Sequence, residues 1–224
     1  MSYKSILLSV VVLSILFCSS NPAQEQFEGK ITMSISSDKT SNDKPTDMDY
    51  FIKGSKFRVE MKSDQGKSVI LHDQKDKKTY LVMPDQKMYM ELDANSYIGQ
   101  SDSKSEEQAP EIKRTGEFKE INGYKCEKWI IKEEKETIVA WMTDQLGGFY
   151  LMNDPMTSSS KNSWLQELAG NYMPMRVENL GNNENKVSLE VVSVNKMKLS
   201  PDLFDVPKDF QKFQMPNMKV DTQK

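Results

Sequence analysis

The residues able to do chemistry are few. His72 is the single histidine, and its neighbour Asp73 stands where the partner of an acid–base pair would stand. No Gly-x-Ser-x-Gly nucleophile motif accompanies it, and one histidine cannot build a histidine-rich zinc site. Cys126 has lysines beside it that would lower its pKa, yet free cysteines are more often buried as small apolar residues. We therefore predict a protein without catalytic residues, metal site or cofactor.

Methionine offers a second candidate chemistry. The chain has 15 methionines, and Met88 with Met90, like Met173 with Met175, places two thioethers on one side of an extended strand. Soft sulfur ligands favour Cu(I), whereas methionine on the apolar face of a strand usually fills the core. Copper binding by these pairs is the third-ranked functional hypothesis.

Aromatic side chains form the third candidate group. Its members are Trp129, Trp141, Trp164, Tyr80, Tyr89 and Tyr97. Such residues either line an apolar ligand pocket or fill the core of a curved sheet, and the sequence favours neither. The three tryptophans and the two methionine pairs are the predicted ligand-binding residues.

Charge excludes one class of partner. The chain carries 30 Lys and Arg against 33 Asp and Glu, for a net charge of −3, and the two signs are interspersed. Nucleic acids and anionic lipid surfaces are bound by concentrated positive charge. We therefore expect no nucleic-acid partner.

The first 23 residues have the layout of a bacterial export signal. Lys4 precedes an apolar run over residues 6–17, which is too short to span a bilayer, and small and polar residues follow. Cleavage after Ala23 competes with lipidation at Cys18, which would anchor the protein to a membrane. Either route leaves Cys126 as the only core cysteine, so no internal disulfide is expected. The predicted location is the periplasm or the outer membrane.

Alternating polar and apolar residues predict a mainly β (α+β) domain over residues 24–213. Strand-length runs are separated by turn residues, including Gly54 and the Asn122-Gly123 pair. About nine strands are expected in a curved antiparallel sheet or half-barrel, with a mobile loop at 99–110 and a polar tail at 214–224.

One short amphipathic helix, over residues 163–170, is expected to cover the apolar face. Ser163 begins it with a capping box and Gly170 ends it. A single helix covers so wide a face poorly, so either the sheet closes on a filled interior or a cavity lies under residues 146–170.

Five segments together resemble a bacterial exported family known as domain of unknown function 4412, which is related in fold to the LolA and LolB lipoprotein carriers. They are Phe-Glu-Gly-Lys-Ile at 27–31, Ile-Lys-Gly-Ser-Lys-Phe-Arg at 52–58, Gly-Tyr-Lys-Cys-Glu-Lys-Trp at 123–129, Pro-Met-Arg-Val at 174–177 and Leu-Ser-Pro-Asp-Leu-Phe at 199–204. The resemblance implies a LolA-like half-barrel wrapped over helices, whose concavity receives acyl chains in the carriers. It implies no enzymatic activity.

The leading hypothesis is a non-enzymatic exported protein that binds an apolar small molecule or a lipoprotein acyl chain in a concave β-sheet. The alternative, from another class, is an envelope structural or protein-interaction module with a filled core. An internal cavity would favour the first, and an exposed apolar patch or edge strand the second.

Overall fold

The computed structural model of the protein describes residues 26–36, 45–63, 66–92, 110–133, 136–149, 171–180 and 185–213. The predictions for the export signal at 1–23, the helix at 163–170 and the tail at 214–224 lie outside these residues. So do residues 99–109 of the predicted loop, together with Cys18, Tyr97 and Trp164.

Twelve strands make up the described chain. The first six are β1 (Glu28–Ile35), β2 (Thr46–Lys53), β3 (Lys56–Ser63), β4 (Gly66–Asp73), β5 (Lys78–Met83) and β6 (Met88–Leu92). The others are β7 (Glu111–Ile121), β8 (Tyr124–Glu133), β9 (Glu136–Thr143), β10 (Met173–Leu180), β11 (Asn185–Lys196) and β12 (Gln211–Lys212).

All twelve strands belong to one open sheet, in the order β12-β6-β5-β4-β3-β2-β1-β11-β10-β9-β8-β7. Two antiparallel meanders, β1 to β6 and β7 to β11, are joined where β1 pairs with β11. Only the two-residue β12 runs parallel to its neighbour, β6. The prediction of a mainly β, antiparallel architecture is confirmed.

The predicted count of about nine strands is too low. Strand β12 has two residues, too few for an alternating pattern, and it joins the sheet only because the chain returns to the β6 edge. The described residues contain two 3₁₀ turns, Pro84–Gln86 and Pro201–Phe204, and no α-helix. Within those ranges, then, no helix covers the sheet, and none is long and apolar enough to cross a membrane.

Two predicted hairpin turns are confirmed. Gly54 joins β2 to β3 with a φ of 60°, and Asn122 and Gly123 join β7 to β8 with φ of 50° and 82°. A left-handed backbone at both central residues is the geometry that the twist of a two-residue hairpin demands, and the Asn-Gly pair adopts it at low cost.

The sheet has two distinct faces, which follow from strand register. The core face carries Ile31, Met33 and Tyr50 and holds the larger hydrophobic cluster. The outer face carries charged side chains such as Lys30 and Asp49, whose ammonium nitrogen and carboxylate oxygen are 2.9 Å apart. The apolar and polar faces predicted from sequence alternation are therefore present along β1 and β2.

Residues 197–213, here called the C-terminal strap, cross the outer face. The Glu28 carboxylate accepts hydrogen bonds from the Leu199 N–H at 2.7 Å and from the Lys53 ammonium at 2.6 Å. Lys53 also donates to the Leu199 carbonyl at 2.7 Å, and Arg58 donates to the Leu203 carbonyl at 2.8 Å. Three segments of the family resemblance, at 27–31, 52–58 and 199–204, thus meet at one place.

Beneath the strap lies a second, smaller apolar cluster on the outer face. Val69, Leu71 and Val82 are buried there, with Val206 and Phe210 of the strap packed against them. The strap then pairs with β6, where the N–H of Gln211 donates to the Lys87 carbonyl. Strands β4 to β6 are therefore apolar on both faces.

Candidate functional site

The centre of the core face is filled by the protein's own side chains. Phe149 and Leu146, from the segment after β9, are 2% and 0% exposed. The Phe149 ring centroid lies 5.6 Å from that of Tyr50, and the Phe149 N–H donates to the Tyr172 carbonyl at 3.1 Å. Residues 144–149 therefore supply, without a helix, the cover that the sequence assigned to a longer segment.

One flank of the same face is only half covered. Strand register places Ile70, Leu81 and Met90 in one cross-strand row. Met83 and Met88 lie opposite each other in the next row. All five side chains are half-buried. We call these five residues of β4 to β6 the apolar flank, since no charged side chain interrupts their two rows.

At the opposite flank, Trp129 lies in a charged aromatic cluster. Its indole centroid is 4.8 Å from the Tyr172 ring, and the Arg114 guanidinium carbon lies 5.1 Å and 5.6 Å from the two rings. Arg114 forms a salt bridge with the buried Glu127, whose carboxylate also accepts from the Trp129 indole N–H at 3.2 Å. The hydrogen bond from Arg114 is the main reason why the pKa of Glu127 lies below its usual value. The rings are therefore engaged internally.

The described members of the aromatic group do not line one pocket together. Trp129 is opposite Ala140 on the core face, whereas Trp141 is opposite Lys128 on the outer face. Trp141 lies under the Lys119 ammonium, 3.8 Å from the ring centroid, and Tyr80 and Tyr89 pack against each other at 6.1 Å on the outer face under the strap. Register thus sends these four side chains to different faces, and each of them packs within the protein.

His72 lies on the core face beside Phe57 and Thr79. Its Nδ1 is 2.9 Å from the Thr79 hydroxyl, and burial lowers its pKa. Asp73 points to the other face, where it accepts hydrogen bonds from the Ser55 hydroxyl and the Lys75 N–H. Adjacent strand residues diverge in this way, so Asp73 does not orient His72.

Cys126 is confirmed as a buried apolar residue. It is 0% exposed, and burial raises the pKa of its thiol to about 11. The nearby lysines contact other groups. The Lys125 ammonium lies over the Phe118 ring, and the Lys128 ammonium forms a salt bridge with the Glu117 carboxylate.

The two methionine pairs predicted from sequence lie far apart in the sheet. Met88 and Met90 are in β6, Met173 and Met175 are in β10, and six strands stand between them in the strand order. Met173 and Met175 are both 0% exposed, next to a bulge in the β9–β10 pairing. Among the methionines that the structure describes, it is Met83 that lies opposite Met88.

Sequence reasoning missed several residues of the core face. Phe149 follows a Gly-Gly pair, which is typical of a loop. Arg114 and Glu127 are typical of the charged residues on the solvent face of a strand. The mixed charge of β7 and β8 offered no signal for their pairing. Met83 had a usable signal, since it ends a strand-length apolar run immediately before a Pro-Asp turn.

The fold and the site define a mainly β domain: one open antiparallel sheet whose apolar face is filled at its centre and half-open at one flank. The chain belongs to the family described as domain of unknown function DUF4412, whose model matches residues 27–210. A search among curated proteins gives no match.

Solved structures similar to this chain include PNGF-II in its C2 crystal form, with 17% identity over 84% of this chain and 31% of that one at a TM-score of 0.47. PNGF-II in its P21 form gives 18% identity, 80% and 30% coverage and a TM-score of 0.44. An uncharacterized conserved protein from Thermus thermophilus gives 11% identity, 85% and 91% coverage and a TM-score of 0.48. This chain spans about a third of each PNGF-II chain, and at these scores the likeness carries no functional argument.

Proposed function

We propose that the protein is an exported cell-envelope protein that binds an apolar ligand, such as an acyl chain or a lipoprotein tail, without catalysing a reaction. The observation that carries the proposal is the half-buried state of the apolar flank. Apolar surface left partly in water costs about 25 cal/mol per Å². The five side chains are half-buried on the core face, where Ile70 packs against the core cluster, so they are the margin of the interior and not the fully exposed patch that would favour an interaction module.

The course of burial along one cross-strand row supports this location. Ile31 and Tyr50 are 0% exposed and Val59 is 7% exposed, whereas Ile70 and the residues beyond it in the row are half-buried. The protein's own side chains therefore bury the part of the row on β1 to β3, and the part on β4 to β6 is only half covered. A ligand on the apolar flank would continue the core.

The sheet is proposed to curl into a LolA-like half-barrel. Support comes from a chain of contacts across the core face, in which Trp129 packs on Tyr172, the Tyr172 carbonyl accepts from Phe149, and Phe149 packs on Tyr50. These contacts link β8 to β2, and a wide sheet whose strands twist curls around what it covers.

Export rests on the amino-terminal sequence. We propose that residues 1–23 direct the chain to the periplasm or the outer membrane, with anchoring only where Cys18 is acylated. Either processing route would bring the apolar flank to the cell envelope, where acyl chains of lipids and lipoproteins are present.

A second candidate function is an envelope structural or interaction module. The filling of the centre of the core face by Phe149 and Leu146 favours it, because a filled sheet leaves little room for a ligand. Cu(I) binding stays the third proposal, now at Met83, Met88 and Met90, whose strand positions are adjacent on one face.

Equilibrium dialysis against dodecanoic acid tests the leading proposal. We expect Leu81→Glu, in the apolar flank, to lower the affinity at least tenfold, because the new carboxylate must be desolvated beneath the chain. Val192→Glu is the matched control, since Val192 is 57% exposed and lies in β11, outside the apolar flank. Equal affinities of the two variants would contradict the proposed site.

Leu replacements separate the apolar ligand from copper. Met83→Leu, Met88→Leu and Met90→Leu together conserve volume and apolarity but remove every thioether of the flank. We expect dodecanoic acid to bind this triple variant within about threefold of the parent protein. Parent protein that binds Cu(I) but no dodecanoic acid, with the Cu(I) binding lost in the triple variant, would instead support the third proposal.

A further inference from the structure

A row of methionines crosses the core face at right angles to the strands. Met33 is opposite Met48, Met48 is opposite Met61, and Met61 is opposite Ser68. On the far side of β4 the row continues with Met83, which is opposite Met88. The register of Val69 with Val82 places Ser68 next to Met83. Five thioethers from five strands are thus aligned, and we call these six positions the methionine row.

We propose that the methionine row is the floor on which one unbranched acyl chain lies, directed across the strands. The inference rests on the proposed function and deepens it, because it fixes the direction of the ligand and the length in contact. The second row, which includes Ile70, Leu81 and Met90, runs beside it and forms one wall.

Burial divides the methionine row into a closed and an open part. Met33 and Met48 are 0% and 1% exposed, so they belong to the core and end the floor. Met61, Ser68, Met83 and Met88 are half-buried. Ser68 is the one small side chain in the open part, and from its size we infer a depression between the thioethers of Met61 and Met83.

The open part has a definite length. It runs from β3 to β6, which is three strand spacings or about 14 Å. A zigzag carbon chain with bonds of about 1.5 Å advances about 1.3 Å per carbon. The floor therefore contacts about eleven carbons, and additional carbons extend past Met88 toward Gln211 of the edge strand β12, whose polar side chain does not continue the apolar floor.

The chemistry of the floor fits a flexible chain. Unbranched thioethers adapt to irregular apolar partners, and the two rows contribute no charged side chain between β3 and β6. Over the same strands neither row contains an aromatic side chain that could stack on a rigid flat ring, and Phe57, the aromatic residue of β3, already stacks on His72.

Saturated fatty acids of 8, 10, 12, 14 and 16 carbons, each below its micellar concentration, test the inference by equilibrium dialysis. The protein is used in the processed form in which its own cells yield it. We expect the affinity to rise about two- to fourfold per methylene, the range for a half to fully buried methylene, and to level off near twelve carbons.

Ser68→Phe, which fills the depression, should lower the affinity for dodecanoic acid at least tenfold. Val192→Phe, at an exposed position of β11 outside the methionine row, should leave it unchanged.

The outcomes separate this inference from the proposed function. Binding of no fatty acid by the parent protein would overturn both. Binding whose affinity keeps rising through sixteen carbons, or a Ser68→Phe variant that binds like Val192→Phe, would overturn the methionine row and leave an apolar site elsewhere on the face. A plateau near twelve carbons that Ser68→Phe abolishes would establish it.

Discussion

Truncating Phe149 to alanine should cost this protein much of its stability. The side chain is 2% exposed, and its ring packs against Tyr50 at the centre of the core face. Its N–H bond to the Tyr172 carbonyl is a main-chain contact that the substitution keeps. The loss therefore comes from side-chain burial and from the cavity left behind.

The expected magnitude follows from the degree of burial. Phe→Ala at a closed core position lowers the free energy of unfolding by about 3–5 kcal/mol. Phe118→Ala is the matched control, because Phe118 is 51% exposed and its main contact is the Lys125 ammonium, 4.1 Å from the ring centroid. An exposed cation–π contact contributes about 0.5–1 kcal/mol, so the control should lose no more than that.

Urea denaturation followed by tryptophan fluorescence measures both values. With a denaturant slope of about 2 kcal/mol/M, a loss of about 4 kcal/mol for Phe149→Ala moves the midpoint by about 2 M. The Phe118→Ala midpoint should move by about 0.5 M or less. Equal midpoints for the two variants would refute the conclusion that Phe149 fills the centre of the face.

Three further predictions concern other parts of the fold. Gly29→Ala should lower the free energy of unfolding by about 2 kcal/mol or more, because the new Cβ would lie 2.2 Å from the Asn195 carbonyl oxygen; an unchanged urea midpoint would contradict that close approach. The hydrogen bond from the Leu199 N–H is the largest cause of the low pKa of Glu28, which is lowered from 4.5 to about 2. The stability advantage over Glu28→Gln should therefore be full above pH 4.5, shrink as the pH falls, and be lost as the pH passes below about 2. A difference that does not shrink in that range would oppose the prediction. The Cys126 thiol, buried and with its pKa raised to about 11, should react with an aromatic disulfide reagent only after unfolding, and rapid labelling of the native protein would disprove its burial.

Local signals in the sequence predicted the local parts of the fold. The alternation from Phe27 to Ile35 predicted β1, and Gly54 and the Asn122-Gly123 pair predicted two hairpins that the structure contains. These predictions succeed because each depends only on residues a few positions apart in the sequence: the alternation of side chains along a strand, and the turn residues that accept a left-handed backbone.

The remaining features depend on contacts between distant residues. Trp129 and Trp141 are both apolar strand residues, and only the opposition of Lys128 and Trp141 shows that they face opposite sides. The methionine row likewise exists only through register, because Met33 and Met88 belong to strands five places apart in the sheet. A strand such as β12 has too few residues for periodicity to mark it.

Native mass spectrometry of the protein purified gently from cell envelopes tests apolar-ligand binding most directly. We expect a reproducible mass increment that denaturing extraction releases as a lipid with an acyl chain, and that Leu81→Glu abolishes while Val192→Glu retains it. A bare polypeptide mass, together with no uptake of a fluorescent fatty acid by the purified protein, would contradict the proposal and favour the interaction module with a filled core.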